Sequence, residues 1–429
     1  MNVGAGFANF ARVLQNPNFG IYTAGNAVSL VGTWMQRIAT GWLAWELTES
    51  GAWLGLVAFA DLFPTALIGP IAGAAADRWD RLRVTKISQA LACIQALVLF
   101  ALTATGHITI VLLLALTAFS GLVSAFNQPA RLALIPALLP RSDLPSAIAI
   151  NSIIFNLARF VGPALAGLLI ATSGAAAAFA ANAATFLVFM AALARIRLAP
   201  TAARGSERPP FTTEIVEGFR YIFAHPGLRA IFLLMLAASV GGRPVVELLP
   251  GFAARVFSSG VSGLAAMTSA VGLGAIIAGV WLGSRASASG LTRLVLTHSL
   301  LFAISIVVFT ATDQLWIALP SLVAAGFSMS TSGIGVQTLI QLTVDEGLRG
   351  RVLSFHGLIF RAGPALGALV MGVLSESLGL RLPLGLGAIL VIAAWLRIVA
   401  GRDRMTEALE SPCTRKASAI SEETRSEGM

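Results

Sequence analysis

The chain has 429 residues, 56% of them hydrophobic and 11% charged, and a mean hydropathy of +0.82; soluble domains usually carry about 25% charged residues, so a water-soluble fold is excluded. The net charge is +9, but the basic residues lie in short stretches between apolar runs, where they act as topology signals, and no nucleic-acid partner is expected. Cys93, in an apolar run, and Cys413, in a polar tail, suggest neither a disulfide framework nor a metal site.

Residues 1–19 contain no short apolar core followed by a small-residue cleavage site, so they read as a cytoplasmic N-terminal segment and the first apolar run as a retained anchor. A helix needs about 20 apolar residues to cross the hydrocarbon core. Spans are predicted near 20–45, 52–75, 84–104, 108–127, 146–171 and 174–194, then near 228–254, 260–284, 293–311, 315–340, 352–375 and 382–400. Between the two sets, residues 196–226 hold Arg204, Glu207, Arg208 and Pro209-Pro210 before an amphipathic stretch from Thr213 to Ala224, and read as a cytoplasmic linker. This predicts an all-α membrane protein of twelve transmembrane helices in two six-helix bundles, 20–195 and 227–400, followed by a disordered cytoplasmic tail over 401–429. Arg78, Arg81, Arg83, Lys86, Arg131, Arg141, Arg285, Arg293, Arg349 and Arg351 fall on one side, while the opposite turns keep Arg255 and Arg381. The bias places both termini in the cytoplasm of a bacterial-type inner membrane.

An internal repeat supports two halves. The run from Phe160 through Gly162, Pro163 and Ala166 is echoed from Arg361 through Gly363, Pro364 and Gly367, an offset of about 201 residues, and Val31-Gly32 is echoed by Val240-Gly241, an offset of about 209. Such small residues allow the close backbone contact that helix association in lipid requires.

Charges within spans cost about 2.5 to 3.5 kcal/mol at a helix centre and so face partners or a wet cavity. They are Arg37, Asp61, Arg159, Arg243, Glu247 and Arg361. Arg37 and Asp61 each lie 12 residues from Glu49 at the intervening turn, roughly 18 Å along a helix, so they share a depth and can pair. The repeat places Glu247 beside the equivalent of Arg37, with Arg243 four residues earlier. These four are expected to line a midplane pathway in which a carboxylate carries the coupling proton; structural ion pairing is the alternative. Asn26, Gln36 and Asn156 could add hydrogen bonds to a substrate, or join helices.

Other chemistries lack their residues. The two lysines, Lys86 and Lys416, form no phosphate-binding Gly-Lys-Ser or Gly-Lys-Thr loop. His107, His225, His298 and His356 are placed in loops or near helix ends, which argues against mid-membrane haem ligation. No enzyme activity, cofactor or metal is expected.

Gly73, Asp77, Arg78 and Arg81, between the second and third spans, resemble the loop motif of the major facilitator superfamily, with Asp80 where that motif has glycine and Leu82 where it has a basic residue. Asn127 to Arg131, Ala147 to Asn156 and Arg159 to Gly167 are similar to the enterobactin-exporter and macrolide-efflux branch. Gly162, Pro163 and Gly167 resemble the superfamily's fifth-helix antiporter motif, with Ala166 in place of a usual glycine. An acid among cations at the membrane edge, Asp77 beside Arg78 and Arg81, can pair across helix ends and hold a cytoplasmic gate closed, with stop-transfer chemistry as the alternative; the resemblance implies an exporter, working by alternating access. Many members carry a proton-linked arginine in the fourth span; none occurs from Val111 to Phe126, and Arg37 or Arg159 could substitute. The expected protein is a monomeric, proton-coupled secondary transporter of a small molecule, siderophore-like or drug-like. A uniporter, an importer, and a non-transporting receptor or assembly scaffold of the same fold are the alternatives.

Overall fold

The computed structural model describes residues 3–198, 211–285 and 290–410, which leaves residues 199–210 of the predicted linker and 411–429 of the tail outside the described residues. Within them the regular elements are helices: α1 (Val3–Leu14), α2 (Pro17–Thr48), α3 (Gly51–Arg78), α4 (Arg81–Ala104), α5 (Ile110–Leu138), α6 (Leu144–Arg195), α7 (Phe211–Ala224), α8 (Pro226–Gly241), α9 (Val245–Gly251), α10 (Gly260–Gly283), α11 (Leu291–Ala311), α12 (Leu315–Thr343), α13 (Glu346–Leu378) and α14 (Arg381–Val399). Among the described residues, ten segments are long and apolar enough to cross a membrane. One of the ten, Arg141–Arg195, contains α6, whose two arms meet at Gly174 with φ 78° and ψ 171°, a backbone that suits glycine. The 32-residue α2 is outside the ten because polar residues such as Asn26, Ser29, Gln36 and Arg37 interrupt it. The second arm of α6 and α2 make the set compatible with the predicted twelve.

Two compact units form. The first comprises Met1–Glu207, Val246–Gly272 and Ala368–Leu380; the second comprises Arg208–Val245, Leu273–Gly367 and Arg381–Met429. In the first, α2 packs along α6, α3 along α5, and α4 against α5 and α6. In the second, α11 packs against α12 and α14, and α14 against α8.

The repeated glycines make these contacts possible. A β-carbon on Gly162 would stand 2.5 Å from Trp34 Cβ and 3.0 Å from the Val31 carbonyl oxygen of α2. One on Gly363 of α13 would stand 2.5 Å from Ser239 Cβ of α8, and one on Gly367 would collide with the Val240 carbonyl. Gly167 faces Ala265 of α10 in the same way. Each half therefore seats its Gly-Pro helix on its own opening helix, with Pro163 and Pro364 inside α6 and α13.

The seventh span is present as Pro226–Val256 with its helix interrupted: the N–H groups of Gly242 and Arg243 both donate to the Ala238 carbonyl at 3.0 Å, Pro244 has no N–H, and a new helix starts at Val245. Two expectations need correction. His298 and His356 lie within α11 and α13 rather than in loops or near helix ends; for His356 the reason is that α13 begins at Glu346 and takes in the polar stretch before the apolar run. The tail after Gly401 is not wholly disordered, since residues 402–410 are helical with Met405 and Leu409 buried. That helix is held by Thr343 Oγ1 donating to the Leu409 carbonyl at 2.9 Å and by Glu410, whose carboxylate accepts the Gly290 and Thr292 N–H groups at 2.9 Å each.

Candidate functional site

The site begins at the turn between α2 and α3. There α2 ends at Thr48, Glu49 takes a left-handed conformation (φ 47°), and its N–H closes on the Trp45 carbonyl. Two antiparallel helices leaving so tight a turn place residues equidistant from it side by side, and Arg37 Nη1 stands 3.6 Å from Asp61 Oδ2. From α9, Glu247 Oε1 accepts from Arg37 Nη2 at 2.7 Å. One guanidinium thus serves two carboxylates, all three in the first unit. Arg37 and Asp61 side chains are each 30% exposed and Glu247 14%, so the shorter pair is also the better enclosed.

Trp34, one turn before Arg37, organises the cations. The guanidinium carbons of Arg37 and Arg159 each lie 5.6 Å from its ring centroid, and Phe155 meets the ring edge-on at 6.0 Å. Such contacts contribute about 0.5 to 2 kcal/mol, more when desolvated. Trp34 also packs against Gly162, so the helix-packing motif and the charged site share a residue. The two arginines that could replace the missing fourth-span cation therefore share one ring.

The remaining candidates make contacts of their own. Gln36 donates to Gln95 Oε1 at 2.9 Å and accepts from Asn182 Nδ2 at 2.8 Å, a buried amide network joining α2, α4 and α6. Asn26 donates to Asn151 Oδ1 at 3.3 Å, and Asn156 donates to the Ser152 carbonyl one turn back at 2.9 Å. Arg243 belongs to the second unit, its guanidinium carbon 3.8 Å from the Phe360 ring centroid. Arg361, in the same unit, is partly buried.

In the loop motif, a β-carbon on Gly73 would meet open space, and Arg81 Nη1 donates to the Ala133 carbonyl at 3.2 Å. The side chains of Asp77 and Arg78 are outside those described. Asp80 has φ −62° and caps α4 by accepting the Arg83 N–H at 2.9 Å, so this turn does not require glycine there. Among the described residues no group of three or more His, Cys, Asp or Glu could hold a metal ion.

A second cluster in the first unit ties the α2–α3 turn to later segments. Arg255 Nη2 lies 3.7 Å from Glu49 Oε2 and donates to the Glu49 carbonyl at 3.3 Å, with its guanidinium carbon 5.2 Å from the Trp45 ring centroid. Glu376 accepts from Ser50 Oγ at 2.7 Å and from the Ala52 N–H at 3.0 Å. Sequence reasoning missed Trp34, Gln95, Asn182 and Glu376; an aromatic residue one helical turn from an intramembrane arginine was the available signal for Trp34.

A helical membrane fold with repeated halves and paired intramembrane charges fits a membrane transporter of the major facilitator superfamily. Residues 8–425 match the family described as transmembrane secretion effector, and the chain belongs to that family, one of transporters rather than enzymes. It is 27% identical to the staphyloferrin A transporter of Staphylococcus aureus (strain NCTC 8325 / PS 47) over 82% of this chain and 87% of that protein. It is 29% identical to the multidrug efflux pump Tap of Mycolicibacterium fortuitum over 83% and 87% of the two chains. It is also 25% identical to the enterobactin exporter EntS of Escherichia coli O1:K1 / APEC over 87% and 88%. Among solved structures, a bacterial homologue of the human lysosomal transporter Spinster superposes with a TM-score of 0.70 at 16% identity over 94% of this chain and 98% of that one. The nucleoside transporter NupG gives a TM-score of 0.70 at 14% identity over 89% and 98%. These two likenesses concern the fold.

Proposed function

We propose that this multi-pass membrane transporter is a proton-coupled exporter of a small molecule, siderophore-like or drug-like, working by alternating access. The observation that carries the proposal is the sharing of Arg37 between Asp61 and Glu247. Two carboxylates share one guanidinium, and Arg159 on the Trp34 ring beside Arg37 brings the wider cluster to two charges of each sign; moving a carboxylate away from either cation leaves a charge that a single proton would neutralise. Uncompensated charge is costly at this depth, so a change in the Arg37–Glu247 contact would alter the energy of holding that proton. Glu247 sits within the seventh span just after its break, and such discontinuous helices carry binding sites in other transporter folds. The Arg255–Glu49 and Glu376–Ser50 contacts are polar links that an access change could break and remake.

Export is favoured by the relatives described as an efflux pump and an exporter. The proposed gate on the cytoplasmic side is the motif containing Asp77; Asp77→Asn should lower transport and leave membrane insertion intact. Both termini are proposed to be cytoplasmic, so a periplasmic signal from a C-terminal reporter would overturn that orientation.

The deciding experiment screens siderophores and efflux-pump substrates in inside-out vesicles with an acidic lumen. Accumulation that a protonophore collapses is the expected result. Accumulation indifferent to the pH gradient would reject proton coupling.

A further inference from the structure

The first arm of α6 exposes two opposite faces. At roughly 100° per residue, Ile153, Leu157, Ala164 and Leu168 form one exposed stripe, and Ile148, Ser152 and Phe155, with the half-buried Arg159, form the other. The first stripe is wholly apolar and suits lipid. The second carries a guanidinium and a hydroxyl, and an arginine against hydrocarbon costs about 2.5 to 3.5 kcal/mol or more, so this face borders a wet path. Two neighbours fix the rotation of α6. Gly162 seats it on Trp34 of α2; on the α10 side Ser269 Oγ donates to the Phe160 carbonyl at 3.1 Å, and a β-carbon on Gly272 would stand 3.1 Å from the Arg159 carbonyl oxygen.

Arg159 brings five N–H donors to that path. Its guanidinium carbon lies 5.6 Å from the Trp34 ring centroid, a contact that steadies the charge but supplies no oxygen acceptor. Among the described residues its side chain makes no hydrogen bond and no ion pair: Asp61 and Glu247 stand within ion-pair distance of Arg37 instead, and Glu247 acts on Arg159 from farther away. Water can take up single donors. A carboxylate engages two parallel N–H groups at once, and such charge-assisted bonds are roughly twice as strong as neutral ones. One turn earlier on the same face, Phe155 is 44% exposed, its ring held edge-on to Trp34 at 6.0 Å. That ring offers an apolar body a surface beside the charge.

We infer that Arg159 anchors an organic anion: the transported molecule carries a carboxylate, attached to an apolar body that lies along Phe155. Arg159 supplies the charge and the forked donors, and Trp34 holds the guanidinium in place. Arg37 keeps its two acids, so the anion need not displace them. This assignment rests on the reading of the charged cluster as a substrate pathway and is independent of proton coupling.

The test uses the full-length protein in detergent, without a pH gradient, and follows thermal unfolding at fixed ionic strength while sodium benzoate replaces sodium chloride. Benzamide, with the same ring and no charge, is the control. A ligand that binds only the folded state raises Tm with its concentration. Wild type should show a saturable rise of about 2 °C or more with benzoate and none with benzamide. Arg159→Gln should remove the rise, Arg159→Lys should keep a weaker one because the charge remains without the fork, and Phe155→Ala should raise the half-saturating concentration about fivefold. If Arg159→Gln does not fold, Arg159→Lys and Phe155→Ala carry the test. No saturable rise with benzoate, a rise as large with benzamide, or a rise unaltered by the Arg159 and Phe155 substitutions overturns the inference. Benzoate binding of the expected pattern, combined with vesicle accumulation indifferent to the pH gradient, would reject proton coupling and leave this anion site standing.

Discussion

Arg37 and Glu247 are 210 positions apart in the chain and 2.7 Å apart in the fold. Asp61 stands on the other terminal nitrogen of the same guanidinium at 3.6 Å. The unequal distances and exposures assign different consequences to neutralising each acid.

Asp61→Asn removes the longer, more exposed contact and leaves the shorter one in place. Gradient-driven accumulation should be abolished while substrate binding or exchange stays measurable, and stability should fall by less than about 1 kcal/mol. Glu247→Gln should cost more, on the order of 1 to 3 kcal/mol, because the better-enclosed partner is lost. Paired vesicle-uptake and thermal-unfolding assays check both. Wild-type accumulation in the Asp61→Asn, Glu247→Gln double variant would make a uniporter the better account.

Gly162 and Gly363 make the same close contact in the two halves, each with a built β-carbon 2.5 Å from a neighbouring Cβ. Gly162→Ala and Gly363→Ala should each destabilise by about 1 to 3 kcal/mol. The first should also impair transport, because its clash is with Trp34, the ring shared by Arg37 and Arg159. Gly73→Ala is the contrast: its β-carbon meets open space in a helix, so unfolding measurements should find it neutral or stabilised by up to about 1 kcal/mol.

Leu409 is fully buried, and its Cγ would lie 2.6 Å from a β-carbon on Gly227. Leu409→Ala should therefore destabilise the protein by about 2 to 5 kcal/mol. A disordered tail would show no such effect, so comparing the melting curves separates the two descriptions.

His225 caps α8, its Nδ1 accepting the Leu228 N–H at 3.3 Å, and burial holds its imidazole below the ordinary value of 6.5. The neutral form is the one that caps. The associated stability should be fully present above about pH 6.5 and lost as the pH falls through the lower folded-state value. A melting series across acidic pH should show a smaller decline in His225→Ala than in wild type.

The amino-acid order alone determined the membrane class, the two-half repeat and the sharing of depth by Arg37 and Asp61. Those depend on local quantities: apolar run length, residue spacing, and helical rise counted from one tight turn. The break in the seventh span was partly legible in Gly241-Gly242-Arg243-Pro244, but continuous hydropathy across it concealed the interruption. His356 was misplaced for a related reason, since a polar stretch continued α13 where the apolar run alone suggested an end. Only the tertiary structure decided that Glu247 joins Asp61 on the Arg37 guanidinium, that Gln36 is consumed by an amide network, and that Trp34 serves two cations. These are contacts between helices distant in sequence, fixed by how each helix rotates and where small residues let it approach, and residue spacing along one strand of text carries neither quantity.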